Sequence, residues 1–114
     1  MKRIKNAVVG IIYLLLDKSF GLHIFGLILS IIYGIIIKLS LNQFLWILVC
    51  SSLVLISEAF NCVIEKLCDL YSKDYNPLIK KIKDMSAGIV LISVIFACII
   101  ALILLVIQYQ GGKL

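Results

Sequence analysis

Apolar residues run almost unbroken from Phe20 to Ile37, from Phe44 to Ile64 and from Ala87 to Ile107, and polar residues gather between those runs. A helix needs about 20 apolar residues to cross roughly 30 Å of hydrocarbon, so the pattern predicts three transmembrane helices, over 20–37, 44–64 and 87–107. Upstream, Val8, Ile11, Ile12 and Leu15 recur at helical spacing behind Lys2, Arg3 and Lys5. This predicts an amphipathic helix over residues 1–18 lying in the membrane interface, its apolar run being too short to cross. Lys38 to Gln43 reads as a short polar turn, and 66–83 as a polar loop in which Asn76-Pro77 marks a turn or a new helix start. The fold class read from this pattern is an all-α integral membrane protein. It forms a single domain over 1–114, with no internal repeat and no low-complexity segment.

The second run carries a polar stripe. Glu58, Asn61, Glu65 and Asp69 are spaced i, i+3, i+7 and i+11, which at 3.6 residues per turn puts all four on one narrow helix face. Glu58 follows the apolar stretch Leu53 to Ile56 and is expected below the lipid headgroups. An ionised side chain is costly there and marks a functional site by default. We expect the helix to be nearly continuous over 44–70, with Glu58, Asn61 and Glu65 facing the third span or a neighbouring protomer.

Composition agrees with this and sharpens it. The chain is 63% hydrophobic with a mean hydropathy of +1.18, well above the 45–50% or so that is apolar in soluble domains. A protomer this small encloses little interior, so the polar stripe is expected to be completed by other copies. The net charge of +5 does not point to nucleic acid, because the basic residues flank apolar runs and form no separate module. Lys2, Arg3, Lys5, Lys18, Lys66, Lys73, Lys80, Lys81 and Lys83 fall on one side, and only Lys38 and Lys113 on the other. The positive-inside rule puts the N-terminus and the 66–83 loop in the cytoplasm. Trp46 suits an interfacial anchor, and Gly21, Gly26, Ser30 and Gly34 are candidates for close helix approach. Cys50, Cys62, Cys68 and Cys98 show no ligand or framework spacing and read as small packing residues. MKRIKN is basic, but the stretch after it lacks a small-residue cleavage site, so no cleaved signal is expected.

What can the stripe do? Glu65 and Asp69 lie one and two turns nearer the aqueous boundary than Asn61, where carboxylate oxygens can hold a hard cation such as Mg²⁺, and through it phosphates. Lys83, beside Asp84, can add a positive charge to the same phosphates. Glu58 lies about 10 Å deeper at 1.5 Å rise per residue, where an amphiphile's hydroxyl arrives and a free sugar's does not. A carboxylate in that position can act as a general base. The plainer readings are a solvated helix end for Glu65, Lys66 and Asp69, orientation charges for Lys80 and Lys81, a packed or interfacial His23, and a helix boundary at Asp17-Lys18.

The stripe fits E-x-x-N-x-x-I-E-x-x-x-D (Glu58, Asn61, Ile64, Glu65, Asp69), followed by K-D-M and a small-residue helix start (Lys83, Asp84, Met85, Ala87, Gly88). With Asn6-Ala7 and Gly10, Phe20 three residues before His23, and the D-Y-N-P of Asp74 to Pro77, the whole chain resembles the prokaryotic diacylglycerol kinase family. That family includes the undecaprenol kinases of Gram-positive bacteria. The resemblance implies a homotrimer in the bacterial plasma membrane with active sites shared between protomers. It would use Mg²⁺ and ATP to phosphorylate a membrane lipid alcohol, undecaprenol or diacylglycerol, at the cytoplasmic interface. It also implies roles: Glu58 as catalytic base at the lipid hydroxyl, Asn61 as its hydrogen-bonding neighbour, and Glu65 as metal and nucleotide ligand. Lys83 and Asp84 would contact phosphates and stabilise the site, with Asp74, Tyr75 and Asn76 near the nucleotide. Asp17 stands where the family carries a glutamate as second metal ligand, one methylene shorter. Ser19 and Gly21 replace an asparagine and an arginine, removing a polar and a basic contact.

Two other classes compete. A small proton-coupled multidrug transporter also relies on a buried carboxylate, but is expected to have four spans and an isolated mid-membrane acid. A holin-like membrane protein would leave the Glu58 stripe incidental.

Overall fold

The computed structural model describes residues 1–111; Lys113, one of the two charges assigned to the far side, lies outside the described residues. Among the described residues four helices follow one another: α1 (Lys2–Leu16), α2 (Lys18–Ile36), α3 (Leu41–Tyr71) and α4 (Pro77–Tyr109). Among the described residues, α2, α3 and α4 are long and apolar enough to cross a membrane. α3 and α4 pack most extensively on each other, α2 packs on α3, and α1 touches mainly α2.

The helices are longer than the apolar runs from which they are read. The loop expected over 66–83 shrinks to Ser72–Asn76, and the third helix starts ten residues before Ala87, at Pro77. Local chemistry explains that start. The Asn76 side-chain oxygen accepts from the Leu78 and Ile79 amides at 2.9 and 3.3 Å, and Pro77 takes the first helical position, where a missing N–H costs nothing. At 1.5 Å per residue α3 and α4 run for roughly 46 and 50 Å, so their joined ends project beyond about 30 Å of hydrocarbon. The exposed Lys80, Lys81 and Asp84 belong to this projecting hairpin.

At the opposite end, α2 closes in a Schellman motif. Lys38 adopts left-handed backbone (φ 59°), with Leu39 N–H donating to Gly34 O at 3.0 Å and Lys38 N–H to Ile35 O at 3.2 Å. A glycine is the usual residue there. The orphan carbonyls of Ile37 and Lys38 accept from Gln108 Nε2 of α4, at 2.9 and 3.3 Å. α3 then opens on a capping box: Gln43 N–H donates to Ser40 Oγ (3.2 Å), and Ser40 N–H to Gln43 Oε1 (2.8 Å). Two such reciprocal bonds at the start of α3 satisfy donors that would otherwise be stranded.

Of the glycines on α2, only Gly34 is a close-contact site. A Cβ there would lie 2.7 Å from Phe44 Cε1 and 3.2 Å from Leu39 Cδ1, whereas at Gly21 and Gly26 it would meet nothing within 4 Å. Gly34→Leu is therefore expected to lower stability by about 1–3 kcal/mol through overpacking, read as an earlier unfolding midpoint in detergent. Unchanged stability would show that the Phe44 ring swings aside freely.

The chain forms a slab of 54 × 39 × 20 Å. Its buried apolar core is small, comprising Phe20, Leu39, Cys62, Cys68 and Leu104. Nearly as many polar residues are buried beside it: Gln43, Glu58, Asn61 and Ser86. Most large apolar side chains, Trp46 among them, face outward, as suits a lipid-facing surface.

Candidate active site

Glu58 is 3% exposed and sits in the middle third of α3. Its partners come from the first turns of α2. Ser19 Oγ–H donates to Glu58 Oε1 at 2.5 Å, and His23 Nε2 lies 3.8 Å from Oε2. The Cys62 thiol, one turn along α3, reaches Oε1 at 3.7 Å. The buried carboxyl thus points at α2 and not at the third span, one of the two neighbours expected above, the other being a second copy of the chain. The cause is helical phase: Ser57, the preceding residue, takes the α4 side through a 2.9 Å hydroxyl contact with Ser93, and about 100° per residue turns Glu58 away from it.

Asp17 is the single residue between α1 and α2, with extended backbone (φ −74°, ψ 129°), and it caps α2. Its Oδ1 accepts from the Ser19 amide at 3.0 Å, the Phe20 amide at 3.4 Å and the Cys62 thiol at 3.5 Å. Its Oδ2 accepts from Lys66 Nζ at 3.2 Å. The Lys66 ammonium first, and then the Phe20 amide, holds the Asp17 carboxyl below the usual carboxylate range. Cys62 thereby touches both Asp17 and Glu58.

Asn61 is buried and donates weakly to Glu65 Oε1 at 3.4 Å. Its own Oδ1 is buried and accepts from no group among the described residues. Glu65 is exposed. In the projecting hairpin, Lys83 Nζ–H donates to Asp69 Oδ1 at 2.7 Å, tying α3 to α4, and Lys80 pairs with Asp84 at 2.6 Å within α4. Asp74 and Tyr75 are exposed on the connection, and Asn76 is occupied as the α4 cap.

The chain therefore gathers Glu58, Asn61 and Glu65 along one helix, and Lys83 and Asp69 at its projecting end. Asp17 is held by Lys66 at 3.2 Å, a partner it would have to give up to serve as a metal ligand. Among the described residues no three acidic, histidine or cysteine side chains converge as a cation cage. Glu65 still fits a divalent ion, because Mg²⁺ commonly takes one or two carboxylates and fills its shell with phosphate oxygens and water.

Three contributors go unnoticed in the sequence. Ser19, counted there as a lost polar contact, supplies one to Glu58. His23, read as packed or interfacial, faces the same carboxyl. Cys62, read as packing, is buried but directs its thiol at two acids. The available signal is spacing: Ser19 and His23 are i, i+4 on α2, as Glu58 and Cys62 are on α3.

The family model of prokaryotic diacylglycerol kinases matches residues 5–105. The chain is 28% identical over 88 residues to the undecaprenol kinase of Bacillus subtilis (strain 168), covering 77% of this chain and 72% of the relative. No solved structure matches. A match across nearly the whole chain, including the α3 stripe and the start of α4, leaves no ground for the transporter or holin-like reading. This chain belongs to the prokaryotic diacylglycerol kinase family and is a membrane-bound lipid kinase with ATP as phosphoryl donor.

Proposed function

We propose that the protein phosphorylates undecaprenol, with Glu58 as the general base and the nucleotide held at the projecting α3–α4 hairpin. The observation that carries this reading is the depth of Glu58. It is almost fully buried and lies about 10 Å along α3 from the exposed Glu65 by helical rise. A lipid hydroxyl reaches that level while its tail stays among apolar side chains; a water-soluble acceptor does not. Glu58 draws off the hydroxyl proton as the oxygen attacks the γ-phosphorus, a reaction that asks the protein mainly for positioning and charge.

Glu65 is the carboxylate this chain offers to Mg²⁺, and the ion, when bound, offsets phosphate charge. Asp17 joins it only by releasing Lys66. Lys83 and Asp84 are available to phosphates, because the ion pairs they now make are screened by solvent and exchange easily. Asp74, Tyr75 and Asn76 flank the nucleotide, and Asn61 has an open acceptor for the headgroup. The thin protomer and the unpartnered Asn61 oxygen support a homotrimer with shared sites. α1 lies on the cytoplasmic surface of the plasma membrane, with the hairpin on the same side.

The prenol is preferred over diacylglycerol because the relative matched over most of the chain is an undecaprenol kinase. Purified protein with Mg²⁺ and ATP, offered either lipid in separate mixed micelles, is expected to phosphorylate undecaprenol at least about tenfold faster, a transition-state difference of about 1.4 kcal/mol. Faster turnover of diacylglycerol would reverse the assignment.

A further inference from the structure

The two oxygens of Glu58 have different surroundings. Oε1 accepts from Ser19 Oγ at 2.5 Å and has the Cys62 Sγ, whose one hydrogen is shared with Asp17, at 3.7 Å. Among the described residues, Oε2 makes no hydrogen bond, and its one ion-pair contact is His23 Nε2 at 3.8 Å. The other ring nitrogen, Nδ1, lies 3.1 Å from the Ser19 carbonyl oxygen. A carbonyl can only accept, so Nδ1 carries the hydrogen and, in the neutral ring, Nε2 carries a lone pair. Two acceptors therefore face each other with room for one proton between them.

We propose that His23 is the second proton acceptor of the reaction, taking from Glu58 Oε2 the proton that Glu58 removes from the lipid hydroxyl. This rests on Glu58 being the base. The hydroxyl O–H bond breaks as its oxygen bonds the γ-phosphorus, and the bond from that phosphorus to the β-bridging oxygen breaks to release ADP. The proton passes to Oε2 and on to Nε2, leaving an imidazolium beside a regenerated carboxylate. The ring then yields the proton to water, for which it is better placed: its side chain is 26% exposed against 4% for Glu58. The 3.8 Å gap is typical of a catalytic contact without substrate, which tightens when substrate binds. Further ionisable groups nearby are Cys62, one turn along α3 from Glu58, and Cys50 on α3, Cys98 on α4 and Tyr33 on α2, which line the same long cavity as His23. None of them touches Oε2. His23 acts through Glu58 and is a positioning, proton-accepting residue, distinct from the groups that meet substrate.

The test uses the full-length protein in mixed micelles. His23→Gln is expected to lower kcat by about 10- to 100-fold, at or below the lower end of direct acid–base contributions, as suits a group acting through Glu58, with KM for ATP and for lipid within about twofold. In His23→Ala, added imidazole is expected to restore turnover, whereas pyrazole, of the same size but feebly basic, is not. Parent-like kcat in His23→Gln overturns the proposal. So does a loss of kcat that imidazole and pyrazole restore equally, or that neither restores, because the ring would then be filling space. Glu58→Gln run alongside separates the two readings: if it retains turnover, the base assignment fails and this one with it. If it is inactive while His23→Gln is normal, only the role of His23 fails.

Discussion

Glu58→Gln is expected to reduce lipid phosphorylation by at least about 10²-fold, with nucleotide binding close to that of the parent. Glutamine keeps the shape, and its carbonyl can still accept from Ser19, so the α2–α3 contact survives. What it loses is the ability to take a proton at the position of Oε2. Glu58→Ala is a poorer test, because it leaves Ser19, Cys62 and His23 around a cavity and mixes a packing loss with a chemical one. The measurement is phosphorylated lipid counted at saturating ATP, paired with the affinity for a fluorescent nucleotide analogue. Near-parent turnover would remove Glu58 as base. Lost turnover together with lost nucleotide affinity would mean that the residue shapes the nucleotide site instead.

The α3 stripe is legible in the sequence because the helical period alone sets it: Glu58, Asn61 and Glu65 share a face whatever packs against them. Which neighbour that face meets is not legible. The Ser19–Glu58 bond joins residues 39 apart and the Lys66–Asp17 pair residues 49 apart, and both depend on the phase that Ser57 and Ser93 impose on α3 against α4. Helix ends fall between these cases. Ser40 with Gln43 is a capping box written plainly in the chain, and Asn76-Pro77 is a helix start. Yet the polar first turns of α4, Lys80 to Asp84, have the composition of a loop, and apolar periodicity does not reach into them. Lys38 shows the converse limit. It holds a left-handed position without the glycine that would announce it, because Gln108, seventy residues away, satisfies the carbonyls of that turn.

The carboxylates at the aqueous boundary differ in what they are free to do, and Mg²⁺ dependence separates them. Glu65 is exposed and, among the described residues, engaged only by a 3.4 Å contact from Asn61, so Glu65→Ala is expected to raise the Mg²⁺ concentration for half-maximal activity by about tenfold or more. That matches the 10–100-fold losses seen even when groups outside the coordination sphere are removed. Asp17 requires a cleaner substitution, because Asp17→Ala would also remove the α2 cap, at a cost of about 0.5–2 kcal/mol. Asp17→Asn keeps an equally good cap and removes only the charge. Since Lys66 already occupies Oδ2, the expected change in Mg²⁺ requirement for Asp17→Asn is about fivefold or less, the worth of an exposed ion pair near 1 kcal/mol. Asp17→Glu, one methylene longer, extends past the cap position toward the hairpin and is expected to lower the requirement if it reaches the ion at the 2.0–2.1 Å or so that Mg²⁺ demands. Equal rises for Glu65→Ala and Asp17→Asn would make Asp17 a full ligand that sheds Lys66 whenever metal binds. A parent-like titration for both Asp17 variants would confine it to holding α1, α2 and Lys66 in register, with Glu65 alone among these acids carrying the ion.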